Sequence, residues 1–152
     1  MNGFSRDDAK RLQELLEHEL GKLRQVFELT EKQAELLASD DIEAFDSSLD
    51  SRQELIEEIN GLHQESDVLM QSYISVTGSG AAEKDDGIEK AASDARAILE
   101  SCAELNEKNA TAAKEKAEEY IKRIGKLSLS RKSLKLYTTD VPNKPELFDK
   151  TT

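Results

Sequence analysis

The residues with the most potential for metal or acid–base chemistry are the two histidines, His18 and His63. A di-iron helical bundle needs a Glu three residues before each ligating His. Leu15 and Asn60 occupy those positions, so neither His belongs to such a motif. One cysteine and two distant histidines also fail to supply the four closely spaced ligands of a structural zinc site.

Other patterns that could indicate catalysis lack the neighbouring residues or the geometry that catalysis requires. The run Gly78–Gly80 is not followed by the Lys-Ser/Thr pair of a phosphate-binding loop. Adjacent acids, such as Glu57 with Glu58 and Glu118 with Glu119, point in different directions on a helix and are ordinary helix surface. We therefore predict that the protein is not an enzyme and needs no metal or other cofactor.

The elements that carry these residues are predicted to be long helices. The 152 residues suit one domain, with 37% hydrophobic, 35% charged and only 5% aromatic residues. Ala, Glu, Lys, Leu and Ser dominate the middle of the chain, and this composition favours helices over strands. The low aromatic content indicates thin, elongated helix pairs rather than a thick globular core.

The net charge and the single cysteine indicate which partners and which cellular compartment suit the protein. The net charge of −11 makes nucleic acid an unsuitable partner. Residues 1–125 hold 15 Lys and Arg against 29 Asp and Glu, whereas residues 126–152 hold six against three. The single Cys102 lies in an apolar helical stripe and is predicted to be a core residue in a reducing compartment. No signal peptide or apolar run of about 20 residues is visible, so we expect a cytoplasmic protein without membrane insertion.

Two helices are predicted in the first half of the chain, over residues 6–38 and 41–76. Ser5 followed by Asp8 has the pattern of a capping box, and apolar residues then recur at steps of three and four. Ser39 or Asp40 is expected to cap the second helix. The short connection between the helices makes them antiparallel neighbours.

The second half is predicted to contain a flexible linker over 77–87, rich in Gly and charge, and a third helix over 88–127. Whether this helix extends to residue 137 is left open, and residues 138–152, with two prolines, are expected to be extended or disordered. Residues 1–137 form the single domain. The small and polar stretch Asn106–Lys116 is expected to pack weakly. The predicted fold class is all-α, an elongated antiparallel hairpin plus a third long helix in a coiled-coil-like bundle.

Two apolar features lack an evident internal partner. The first is the end of the third helix, with Tyr120, Ile121, Ile124 and Leu127, and the second is the stretch from Leu129 to Tyr137. An exposed apolar stripe usually marks a binding site, so we predict partner binding here. A fold-back onto the hairpin and a dimer seam are the two alternatives.

Three motifs, in this order and spacing, resemble the FlgN-type flagellar export chaperones. The run Thr30–Ile59 resembles the family's acidic, Leu-rich end of helix one, its tight turn and the Leu-Ile seam of helix two. Leu105–Asn109 reads Leu-Asn-Glu-Lys-Asn, similar to the family's Leu-Asn-x-x-Asn element. Leu147–Lys150 reads Leu-Phe-Asp-Lys, similar to the tail of Gram-positive members. The resemblance covers nearly the whole chain.

The resemblance implies a chaperone of type III secretion in flagellum assembly, which holds hook–filament junction (hook-associated) proteins in the cytoplasm by their C-terminal helical segments. It places partner binding between Asn109 and Tyr137. Combined with the exposed stripe, it gives these candidate partner-binding residues: Tyr120, Ile121, Ile124, Leu127, Leu134 and Tyr137. Components of the export apparatus and a second copy of the chain are further candidate partners. The alternatives are a FliT-type secretion chaperone with another client and a structural coiled-coil dimerisation module.

Overall fold

The protein is all-α, as predicted. The computed structural model describes residues 3–133, with side chains described up to residue 126. Three helices follow one another, α1 (Arg6–Ala38), α2 (Ile42–Gly78) and α3 (Asp86–Ser133), and the described residues contain no strand. At 48 residues α3 is the longest of the three.

The start of α1 confirms the predicted capping box. The backbone N–H of Asp8 donates to Ser5 Oγ, and the N–H of Ser5 donates to Asp8 Oδ2, both at 3.0 Å. These two bonds satisfy N–H groups that have no partner within the helix, and the acidic side chains also suit its positive N-terminal dipole.

The turn between α1 and α2 is closed by Asp40, the one non-glycine residue with positive φ (59°) among the described residues. The N–H of Asp40 donates to the Leu37 carbonyl and that of Asp41 donates to the Leu36 carbonyl, the two bonds of a Schellman motif. The side chain that caps α2 belongs to Asp41, which accepts from the N–H of Ala44 at 3.2 Å. The prediction of Ser39 or Asp40 as this cap was wrong, because the chain uses Asp40 to turn and begins the helix one residue later.

The connection between α2 and α3 is tied down by Tyr73. Its hydroxyl accepts from the N–H of Asp85 at 2.9 Å and donates to Glu89 Oε2 at 2.7 Å. Burial and the bond to Glu89 raise the pKa of Tyr73. The Asp85 side chain accepts from the N–H of Ile88 and so caps α3.

The helices occupy three corners of a square. Helix α1 packs along both α2 and α3, whereas the backbones of α2 and α3 barely approach each other. Contacts at both ends show that α3 runs parallel to α1. Leu12 meets Ile88 at one end of the bundle, and Leu37 meets Ala113 at the other. The fourth corner, between α2 and α3, holds no helix of the described chain.

The middle of α3 packs closely on α1, and the expectation of weak packing there was wrong. Asn109 and Ala113 are buried, at 6% and 1% exposure, and the Asn109 amide donates to the Thr30 carbonyl at 2.9 Å. Small side chains bring the helix backbones together, so atoms that contribute little apolar area still lie in close contact. Cys102 is also buried, as predicted, and burial raises the pKa of its thiol.

Candidate partner-binding site

The point where α3 leaves the bundle is marked by one ion pair. Lys116 Nζ lies 2.8 Å from Asp40 Oδ1, at the turn that ends the α1–α2 hairpin. Hydrogen bonding to Lys116 holds the pKa of Asp40 below its usual value, and the same bond raises the pKa of Lys116. Helix α3 therefore passes the end of the other two helices about where Lys116 lies.

Residues 117–133 continue α3 beyond that pair, and we refer to them as the overhang. The overhang holds 17 residues, which extend about 25 Å at ~1.5 Å per residue. Neither α1 nor α2 continues past the turn to meet it, since α1 ends at Ala38 and α2 begins at Ile42. Within residues 3–133, no second helix is placed to cover an apolar stripe here.

The predicted site residues fall in three groups. Tyr120 and Ile121 are exposed, at 50% and 47%, and Ile124 is half-buried. Leu127 lies in the helical part of the overhang, with its side chain outside the described part of the chain. Leu134 and Tyr137 lie outside the described residues. The structure thus brings Tyr120, Ile121 and Ile124 together on one segment of α3.

The overhang also differs from the bundle in charge. The overhang, residues 117–133, holds five Lys and Arg against two Glu, whereas residues 1–116 carry a net charge of −14. Lys122, Arg123 and Lys126 are exposed around the apolar residues. The segment is therefore a basic, partly apolar helix attached to an acidic body, and it suits a partner helix with an apolar face and acidic flanks.

A second apolar surface lies at the vacant fourth corner of the bundle. There α2 and α3 enclose a groove of about 370 Å³, with Leu16, Glu19 and Leu23 of α1 at its floor. Its walls are formed by Ile59, Asn60, His63, Ser66, Asp67 and Met70 of α2 and by Ala92, Ala95, Arg96 and Leu99 of α3. The sequence reasoning missed this groove. Helical periodicity identifies the apolar face of a helix but not which neighbour covers it.

One carboxylate lies buried in the groove. Glu19 is 6% exposed and its Oε1 accepts from Ser66 Oγ at 2.5 Å. His63 Nδ1 lies 3.9 Å from the same oxygen. The described residues bring no group of three His, Cys, Asp or Glu side chains into metal-binding geometry. Glu19 therefore acts as a hydrogen-bonded partner of Ser66 within the α1–α2 packing.

Comparison with models of protein families shows which family the chain belongs to. A family model described as FlgN protein matches residues 1–140. The chain belongs to the FlgN family. FlgN proteins are chaperones of flagellar type III export rather than enzymes, so the identification agrees with the resemblance that the sequence motifs gave.

Searches of curated proteins and of solved structures gave no significant match. None of the helices within residues 3–133 is both long and apolar enough to cross a membrane.

Proposed function

We propose that this FlgN-family chaperone binds the C-terminal helical segment of hook–filament junction proteins in the cytoplasm, and that the overhang is the binding site. The observation that carries the proposal is the exposure of Tyr120 and Ile121 on a part of α3 that no other described helix covers. Burial of such a stripe by a client would release the hydrophobic free energy that the free chain leaves unused.

The mechanism is recognition between amphipathic helices. The client helix lays its apolar face against Tyr120, Ile121 and Ile124, and its acidic flanks meet the Lys and Arg side chains of the overhang. A stable complex of this kind buries roughly 1,200–2,000 Å² in total. The client surface that would otherwise support premature assembly is thereby masked until export.

The negative charge of the bundle favours binding of an acidic client helix at the overhang over binding elsewhere on the protein. Residues 1–116 carry a net charge of −14, so an acidic client helix is repelled from the bundle and attracted to the overhang. Salt should weaken the complex because the flanking ion pairs are solvent-exposed and screened. The apolar contacts remain at high salt and set the residual affinity.

Calorimetric titration with client segments tests the proposal. The full chain is titrated with the C-terminal segment of a hook–filament junction protein and, in parallel, with that of the filament cap protein. We expect one-to-one binding of the first and little binding of the second. Preference for the cap segment would favour a FliT-type chaperone, and self-association without binding of either would favour a coiled-coil module.

A matched pair of variants locates the site. Ile121→Asp places a charge in the overhang stripe, and Ile74→Asp places the same charge at an exposed isoleucine of α2. We expect the first variant to abolish client binding and the second to preserve it, with both remaining helical. Equal effects of the two substitutions would contradict the overhang as the site.

A further inference from the structure

We propose that the fourth corner of the bundle binds a helix of a second protein, and that this helix presents one Asp or Glu side chain to Arg52 and Gln33 from within an otherwise apolar face. Basic residues flank that face, so the partner differs from the acidic client helix that the overhang is proposed to hold. Within residues 3–126, a guanidinium without a carboxylate partner and a buried amide N–H without an acceptor lie about one helical turn apart at this corner.

The floor of the fourth corner is one line of α1 residues that follow each other at steps of three and four. Leu16, Glu19 and Leu23 form the floor of the groove, and the same spacing continues through the buried Thr30 and Gln33 toward the hairpin turn. The floor is therefore mainly apolar in the groove and polar beyond it. An occupant must match both sections.

Arg52 brings a positive charge to the polar section. Its Nε donates to Thr30 Oγ1 at 3.3 Å, and the Cys102 thiol of α3 lies near enough to act on its charge. The side chain is half-buried, and burial lowers the pKa of Arg52. No carboxylate of residues 3–126 forms an ion pair with it. A cation that has lost part of its water and has gained no anion favours binding of a carboxylate.

Gln33 adds a second donor beside this cation. Its side chain is 2% exposed, and Nε2 has no hydrogen-bond partner in the described part of the chain. Gln33 lies one turn along α1 from Thr30, the residue that Arg52 contacts. Asn109 does not meet the same need, because its amide already donates to the Thr30 carbonyl. An anionic oxygen acceptor would satisfy the donors of both Arg52 and Gln33.

The length and the lining of the corner indicate that a helix carries this acceptor. From Arg52 to Met70 the α2 wall is about 28 Å long at ~1.5 Å per residue, which is about five turns of helix. The groove section, about 370 Å³, includes Ile59, Met70 and Leu99, and Leu99 is 53% exposed. A small carboxylate would leave these side chains uncovered. Since Arg52 lies seven residues from Ile59, the partner helix carries its acid two turns from an apolar residue.

The charge of the bundle determines what flanks the apolar face of the partner. Residues 1–116 carry a net charge of −14, which repels a helix that is acidic throughout. Lys or Arg side chains on the flanks offset this repulsion and leave the single buried acid for Arg52. The partner is therefore recognised by an apolar stripe interrupted by one carboxylate, between basic flanks.

Two synthetic peptides test the carboxylate site. Each is a helix of about 20 residues with leucines along one stripe and lysines on its flanks. One carries Glu within the stripe, seven residues from a leucine, and the other carries Gln there. Calorimetric titration of the full chain should show roughly tenfold or tighter binding of the Glu peptide, because a buried charge-assisted hydrogen bond distinguishes them. The variant Arg52→Met should bind both peptides equally. Equal binding of the two peptides to the unmodified chain, or a preference for Glu that survives Arg52→Met, would overturn the inference.

Control variants locate the site and separate it from the overhang. Leu99→Asp should abolish binding of both peptides, whereas Arg24→Met, at an exposed arginine of α1, and Ile121→Asp should leave binding unchanged. Loss of peptide binding in Ile121→Asp would place the peptide on the overhang and contradict the proposal. Because Ile121→Asp is expected to abolish client binding, the proposed function and this inference fail separately.

Urea unfolding of Arg52→Met distinguishes a binding role from a structural one. Methionine keeps an apolar stem and removes a charge that has lost part of its water, so the unfolding midpoint should not fall. A clearly lower midpoint would mean that Arg52 serves the packing of α1 on α2, and it would overturn the assignment of Arg52 to a partner.

Discussion

Two isoleucines of α3 should differ sharply in their contribution to stability. Ile88 has no exposed surface and lies in the core with Leu12 and Leu16, whereas Ile121 is 47% exposed on the overhang. Removing a buried isoleucine side chain leaves a cavity, so Ile88→Ala should lower the free energy of unfolding by about 2–5 kcal/mol.

The matched substitution Ile121→Ala should change the free energy of unfolding by no more than about 0.5 kcal/mol, the usual range for surface positions. Ile121 is already 47% exposed beyond the ends of α1 and α2, and alanine has a higher helix propensity than isoleucine, which offsets part of the lost area. Urea titrations followed by circular dichroism measure both variants.

The effects of the two substitutions on client binding should be the reverse of their effects on stability. Ile121→Ala should weaken the complex, and Ile88→Ala should bind normally under conditions where it is folded. If Ile121→Ala destabilised the protein as much as Ile88→Ala, the stripe would be part of the core, and the reasoning that assigns it to a partner would be refuted.

Three further predictions concern contacts that position α3. Asp40→Asn should lower stability at neutral pH, and this difference should disappear as the pH falls through the depressed pKa of Asp40, because the ion pair with Lys116 stabilises the fold only while Asp40 is ionised; unfolding titrations at several pH values measure it. Asn109→Ala should cost about 1–3 kcal/mol of unfolding free energy, because the amide is buried and donates to the Thr30 carbonyl. Cys102 should react slowly with thiol reagents in the folded protein and rapidly in urea, because burial protects the thiol and raises its pKa.

Each of these has an outcome that would count against it. A stability difference for Asp40→Asn that persists at low pH would mean that the side chain acts through the turn rather than through its charge. An unchanged Asn109→Ala would show that the contact with α1 adds nothing to helix docking. Rapid labelling of Cys102 in buffer would indicate that α3 separates readily from α1.

Much of the fold is predictable from the sequence because it depends on local signals. The capping box at Ser5 and the apolar steps of three and four residues specify the helices, and a short connection forces α1 and α2 to be antiparallel. The residue that caps α2 in the turn between α1 and α2 was harder to predict. Asp40 and Asp41 are equivalent as cap residues by type, and only the backbone conformation decides that Asp40 takes the left-handed position.

The exposed apolar stripe was predictable from the sequence, but its structural surroundings were not. An apolar stripe at Tyr120 and Ile121 is visible in the sequence, yet its exposure depends on where α3 passes the hairpin end, which the contact of Lys116 with Asp40 establishes. The close packing at Asn109 was missed because small and polar residues carry little apolar signal. The groove was missed because periodicity alone does not show which helices are neighbours.

Hydrogen–deuterium exchange of the complex tests the central claim most directly. In dilute free protein the amides of residues 117–126 should exchange faster than those of the bundle, because no neighbouring helix protects them. Addition of the C-terminal segment of a hook–filament junction protein should slow exchange in this region and leave the α1–α2 hairpin largely unchanged. Protection confined to the hairpin, with no change in residues 117–126, would contradict the overhang as the site where this chaperone holds its client.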